Sequence, residues 1–197
     1  MELNDFFNTV TSATSRVMGA VQPGDGRPTP CTEWVVDDLV GHIFAVSGQA
    51  KAMAAGVDVA IHGSEPDVVG ADIGASYRDS VESVRAAFAD PAMMTKTLAT
   101  PMGPHPGRVV FTVTSLEHLV HGWDLASAVD SPYQIADDVG EFALSAVESM
   151  PEVFDQFRQW NVYAPPLTDE TDAGPGARLL ALLGRDPAWR PAPRPLG

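Results

Sequence analysis

Apolar residues recur at helical spacing through most of the chain, and this periodicity predicts a protein built from α-helices. Apolar positions three, four and seven residues apart form continuous faces, which is the pattern of helices packed on a core. Pro151 lies inside the last of these stretches and is expected to bend or break it. The predicted helices cover residues 3–21, 35–55, 73–89, 109–129 and 137–160.

Segments rich in proline and glycine separate these helices and leave little room for a sheet. Residues 95–108 hold three prolines and two glycines, which excludes a helix and indicates a long, exposed connection. Within that segment, residues 97–99 could form a short strand. No sustained alternation of apolar and polar residues appears elsewhere, so the predicted fold class is all-α.

The C-terminal part of the chain has a different character from the rest. A proline opens and a glycine closes one more short helix, at residues 175–183. The sequence around it is irregular and rich in proline. We therefore predict a single domain over residues 1–197, with a core of about residues 1–160 and a C-terminal wrap of about residues 161–197.

Size and charge narrow the classes of function. With 197 residues, 45% of them apolar, the chain can bury one good core. Its 12 Lys and Arg against 26 Asp and Glu give a formal net charge of −14, which repels phosphate backbones and anionic lipids, so neither nucleic acid nor membrane partners are expected. The N-terminus lacks the basic segment of a signal peptide. We expect a cytoplasmic monomer or homodimer that acts on a small molecule.

The single cysteine, Cys31, cannot form an intrachain disulfide, which agrees with a reducing compartment. It precedes a predicted helix, and no base stands beside it in the sequence. A structural or incidental role is therefore favoured over a nucleophilic one.

The candidate chemistry lies in the middle of the helix predicted at residues 109–129. Glu117 and His121 are four residues apart, so a helix places both on one face, where they could reach the same divalent ion. His42 lies on the apolar face of the helix predicted at residues 35–55 and is the best candidate for a third ligand. Two histidines and one glutamate would leave coordination positions open, as a catalytic or substrate-binding metal requires.

Neighbouring residues leave alternatives to this ligand set. His118 is a rival ligand, although a helical wheel turns it away from His121 and favours Glu117. Asp124 lies on the same arc as Glu117 and His121, where it is expected to orient an imidazole rather than bind the ion. A buried hydrogen-bond network among the same three groups, without metal, is a further alternative. His105, in a loop, is expected to be exposed to solvent, although it could line the mouth of a pocket.

Three segments of the sequence resemble a known group of proteins. Residues 30–42 (PCTEWVVDDLVGH) resemble the opening helix motif of DinB-like proteins, and are similar to the metal-binding domain of mycothiol-dependent maleylpyruvate isomerases. Residues 121–126 (HGWDLA) look like the second metal motif of that group. Residues 176–187 (GARLLALLGRDP) resemble a tail found in an actinobacterial subgroup of uncharacterised metal-binding proteins.

The resemblance implies a four-helix DinB-like bundle, here with a short extra C-terminal helix and a Pro-rich tail. It implies metal ligation by His42, Glu117 and His121, in agreement with the helical wheel. It further implies a metal-dependent transferase or isomerase that uses mycothiol or another low-molecular-weight thiol. Zinc is the expected metal, although nickel, iron or manganese also suit two imidazoles and one carboxylate.

An alternative function is a non-catalytic metal-binding or ligand-binding module of a stress response. The isomerases carry an additional C-terminal domain, where this chain has only a short helix and a tail. An enzyme needs a cavity beside the metal. If the C-terminal helix filled that space with Leu179, Leu182 and Leu183, binding without turnover would be favoured.

Overall fold

The computed structural model describes residues 1–60, 72–160, 162–167 and 174–191. Seven helices occupy these residues, together with one two-stranded sheet and one 3₁₀ turn, Pro91–Met94. The all-α prediction is confirmed. The helices are α1 (Leu3–Met18), α2 (Val36–Ala54), α3 (Ile73–Ala87), α4 (Gly107–Ala128), α5 (Asp137–Glu148), α6 (Pro151–Gln159) and α7 (Pro175–Leu182).

Helix α4 is the centre of the fold. Helices α1 and α2 pack against it, and α3 packs against both α1 and α2, which gives a four-helix arrangement. Every residue of α4 from position 114 to 126 is buried. A helix covered on all sides has no solvent-facing stripe for its polar residues. The polar side chains of α4 must therefore find their partners inside the protein.

Proline governs where the later helices begin and end. The helix expected over residues 137–160 is broken as predicted: α5 ends at Glu148, and Pro151 opens α6 at its first turn. That position suits proline because the first turn of a helix has no use for its missing N–H.

The segment expected to be an irregular, exposed connection is instead a β-hairpin. Strand β1 (Thr97–Thr100) pairs antiparallel with β2 (Gly103–Pro106), and its Leu98 is buried. The strand expected at residues 97–99 is confirmed, whereas β2 was not anticipated because proline is depleted in strands. The pairing places His105 opposite Leu98, beside the bundle.

Helix α7 packs along α5 through two glycines that permit close approach. A Cβ on Gly140 would lie 2.6 Å from the backbone nitrogen of Gly176, a distance that real side chains do not adopt. The C-terminal segment is thereby held against the bundle. Among the described helices, none is long and apolar enough to cross a membrane.

A substitution at Gly122 tests how closely α1 packs on α4. A Cβ at this position would lie 2.1 Å from Thr14 Oγ1 and 2.8 Å from Tyr133 Oη. We expect Gly122→Ala to lower the free energy of unfolding by about 1–3 kcal/mol, because overpacking outweighs the better helix propensity of alanine. Urea denaturation measures the change.

The matched control is Gly48→Ala, at an exposed position of α2 with no atom within 4 Å of the added Cβ. It is expected to raise stability by up to about 1 kcal/mol through helix propensity alone. Equal shifts in the two variants would contradict the packing argument.

Candidate metal centre

Helices α2 and α4 bring three buried side chains together at their interface. His42 Nε2 lies 3.4 Å from Glu117 Oε2, and His121 Nε2 lies 3.1 Å from the same oxygen. All three residues are buried: His42 is 8% exposed, Glu117 6% and His121 4%. Their candidate ligand atoms all lie within 4.8 Å of one another. The three residues chosen from the sequence thus meet at one point, which we call the triad.

The spacing of the triad fits a divalent ion. Ligand atoms bound to a tetrahedral ion at roughly 2.0–2.2 Å are about 3.3–3.6 Å apart. The separation of 3.4 Å falls in that range, and that of 3.1 Å is slightly shorter. By contrast, a charge-assisted hydrogen bond is usually about 2.7–2.9 Å long, so the His42 contact is long for an ion pair without a metal.

Further residues fix the orientation of the triad. Asp124 Oδ2 lies 3.0 Å from His121 Nδ1, so it can hold the proton on that nitrogen and leave Nε2 free to bind a metal. Tyr163 Oη donates a hydrogen bond to Glu117 Oε1, the oxygen that does not face the histidines. The indole of Trp34 packs on the ring of His42, with centroids 4.4 Å apart. Each member of the triad is therefore held by a neighbouring side chain.

His118 faces away from the triad. Its Nδ1 is hydrogen bonded to Tyr77 Oη at 3.0 Å, and its Nε2 lies 3.3 Å from Ser47 Oγ. Burial lowers the pKa of His118 to about 4, which keeps the ring neutral. Because both ring nitrogens already have partners, the geometry favours Glu117 over His118 as a ligand.

The environment of the triad favours an ionised glutamate. Burial alone would raise the pKa of Glu117, but the hydrogen bonds and charges of His121 and His42 outweigh it and hold that pKa well below its usual value. Burial would likewise lower the pKa of His121, yet its hydrogen bonds to Asp124, Cys31 and Glu117 raise it well above normal. Without a bound ion, His121 is therefore held as a cation beside the Glu117 carboxylate. A metal at the triad would take the place of the proton on its Nε2.

The structure corrects the expectation that Cys31 has no base beside it. Its Sγ lies 3.2 Å from Asp124 Oδ2 and 3.9 Å from His121 Nδ1. Cys31, His121 and Asp124 therefore form a second group that could in principle hold a metal. Arg185 Nη2, however, donates to Cys31 Sγ at 3.0 Å and to Asp124 Oδ2 at 3.1 Å. A fixed positive charge on two members of this group opposes a second cation there.

Arg185 and Tyr163 are site residues that sequence reasoning missed. Both lie in the C-terminal part, outside any periodic stretch, and both are buried. The guanidinium of Arg185 lies 5.3 Å from the centroid of the Tyr163 ring. Burial would raise the pKa of Asp124, but the charges and hydrogen bonds of Arg185 and His121 together outweigh it and lower the pKa of that carboxyl. The one signal in the sequence for Arg185 was its position as a basic residue directly after the apolar helix predicted at residues 175–183.

A pocket opens beside the triad and contains about 720 Å³ of empty space, part of it open to solvent. His42 and Glu117 lie in its wall, and so does His105, which is half-buried in β2 rather than exposed in a loop. No residue of α7 appears among the described residues of the wall, because α7 packs on α5 instead. The C-terminal leucines therefore leave this cavity open. Its other wall residues are Val46, Gln49, Met53, Thr100, Pro101, Met102, Val109, Val110, Val113, Thr114, Phe157 and Val162.

The ion pair between Arg185 and Asp124 can be tested by stability. We expect Arg185→Leu to lower the free energy of unfolding by about 3–5 kcal/mol, because it leaves a buried carboxylate without its cation. Arg178→Leu removes the same charge from an exposed position of α7 and should change stability by less than about 0.5 kcal/mol. Urea denaturation at neutral pH compares them, and similar losses in both variants would contradict a specific role for Arg185.

Comparison with known proteins places the three triad residues inside a recognised family region. The sequence model of the family described as mycothiol maleylpyruvate isomerase N-terminal domain matches residues 8–126. Two uncharacterised proteins of Mycobacterium tuberculosis, from strains CDC 1551 and H37Rv, are each 29% identical over 164 residues, covering 81% of this chain and 84% of the relative. No solved structure matches the chain significantly. The family region contains the triad and ends before Tyr163 and Arg185.

Proposed function

The chain belongs to the mycothiol maleylpyruvate isomerase N-terminal domain family, a DinB-like family, and on this premise we propose that it is a metal-dependent enzyme. The proposed reaction is a transfer or isomerisation that uses mycothiol or another small thiol as cosubstrate. The observation that carries the proposal is the convergence of His42, Glu117 and His121, of which two lie in the wall of an open pocket.

In this proposal the triad holds the ion, through the two Nε2 atoms and Glu117 Oε2. The donor set suits zinc best, and nickel, iron and manganese also suit it. When bound, a divalent cation lowers the pKa of a coordinated thiol and so supplies a thiolate at neutral pH. Cys31 is not among the described residues that line the pocket, so the reacting sulfur would come from the small thiol.

The protein's own residues would contribute orientation and a dry site. Asp124 holds His121 with its Nε2 directed at the triad, and Tyr163 holds the second oxygen of Glu117. The wall is largely apolar around the triad, with Val113 and Phe157 among its members. An apolar wall limits the access of water and strengthens electrostatic interactions at the reacting atoms.

The same apolar wall also favours a second candidate, a non-catalytic module that binds a metal and a ligand in stress response. Among the described wall residues, His105 is the one titratable side chain outside the triad, so few groups are available as acid or base. Metal binding without thiol-dependent turnover would support this alternative.

A thiol-conjugation assay tests the enzymatic proposal. Metal-loaded wild type is expected to consume thiol in the presence of an electrophile, and His121→Gln is expected to lower the rate by more than roughly 100-fold, since altering even the outer partners of a ligand costs 10–100-fold. His118→Gln makes the same chemical change at a histidine that faces Tyr77 and Ser47 instead of the triad. This variant should retain most of the rate. Equal rates in wild type and His121→Gln would contradict the proposal.

Elemental analysis tests the ligand set directly. We expect Glu117→Gln to lose bound metal and His118→Gln to retain it.

A chelator is also expected to lower the melting temperature of wild type but to change the melting temperature of His42→Ala very little. An ion at a hundredfold excess over its dissociation constant stabilises the native state by about 2.7 kcal/mol. Loss of metal in His118→Gln but not in Glu117→Gln would overturn the assignment.

A further inference from the structure

One polar atom in the pocket wall has no partner. Gln49 Nε2 is buried and forms no hydrogen bond with any described residue. A buried donor without a partner costs about 1–3 kcal/mol, and native proteins keep few of them. Because Gln49 lines the pocket, a bound molecule could supply the missing acceptor.

The position of Gln49 sets the length of such a molecule. His42, Val46, Gln49 and Met53 all line the pocket and form a single stripe along α2. Gln49 follows His42 by seven residues, which is about 10.5 Å along a helix. Valines from α2 and α4, Val46 and Val113, also belong to the wall. A ligand that reaches both the triad and the Gln49 amide would therefore be elongated, with an apolar middle.

The charge of the wall indicates a neutral acceptor on the ligand. Among the described residues that line the pocket there is no lysine or arginine, and Glu117 contributes a carboxylate. At the Gln49 end of the pocket, about 10.5 Å along α2 from the triad, a carboxylate would be desolvated without a cation beside it, which is costly. A carbonyl oxygen accepts a hydrogen bond from an amide without that cost.

We propose that the pocket binds a neutral, elongated and largely apolar carbonyl compound, and that Gln49 determines specificity by donating a hydrogen bond to its carbonyl. That this compound is a substrate, reacting at its end beside the triad rather than at the carbonyl, rests on the proposed function. Its binding does not require turnover, so the two proposals can fail separately.

Calorimetric titration of the metal-loaded 197-residue chain tests the proposal with three probes of similar shape. The probes are 4-phenylbutan-2-one, butylbenzene and 4-phenylbutanoate, which carry a carbonyl, no polar group and a carboxylate. Gln49→Leu should weaken the affinity for the ketone relative to the hydrocarbon by roughly tenfold, the value of one buried hydrogen bond. It should leave the melting temperature unchanged or raised, because it removes an unpaired buried amide.

Thr114→Val is the matched control. Thr114 also lines the pocket, but its hydroxyl already donates to the carbonyl of Val110 at 2.8 Å. This variant should leave the ratio of ketone to hydrocarbon affinity unchanged. If Thr114→Val and Gln49→Leu lower the ratio of ketone to hydrocarbon affinity equally, the effect comes from general repacking of the wall, and the proposal is wrong.

Three further results would also overturn it: an unchanged ratio in Gln49→Leu, tighter binding by the carboxylate than by the ketone in the metal-free protein, or no binding by any probe. If a chelator abolishes the preference for the ketone, the carbonyl binds at the triad and the role of Gln49 is wrong. A preference for the ketone that depends on Gln49, in a protein inactive toward thiols, would keep this proposal and remove only the proposed function.

Discussion

The burial of α4 is the constraint on which the rest of the structure depends. Its central turns carry four ionisable side chains in a stretch where every residue is buried. Ionisable groups in such a place destabilise the fold unless each is paired. The partners come from four separate parts of the fold, and they are His42 of α2, Tyr77 of α3, Tyr163 beyond α6 and Arg185 beyond α7.

Adjacent residues of this helix have opposite electrostatic fates. Glu117 and His118 are neighbours in sequence, but about 100° of helical rotation directs them to different partners. Glu117 faces two imidazoles and stays ionised, whereas His118 faces two hydroxyl groups and stays neutral. One helix can therefore present an anionic, cation-seeking face to the pocket and a purely structural polar face to α3.

The sequence predicts those features that depend on local spacing. The helices, the break at Pro151 and the convergence of Glu117 with His121 all follow from residues that are close together in the chain. The contact between Cys31 and Arg185 joins positions 154 residues apart, and no periodic pattern in the sequence predicts it. Strand β2 was not predicted for another reason: it contains two prolines, and proline is found in strands mainly at the edge of a sheet.

The contact between Arg185 and α4 has a consequence for the order of assembly. During synthesis the chain emerges from its N-terminus, so α1 to α4 leave the ribosome well before residue 185. Until Arg185 arrives, the Asp124 carboxylate lacks its guanidinium partner, and its full burial is less favourable. The bundle can thus collapse early around its apolar core, while the polar side of α4 stays hydrated. The final closure of this side then waits for the last part of the chain to dock.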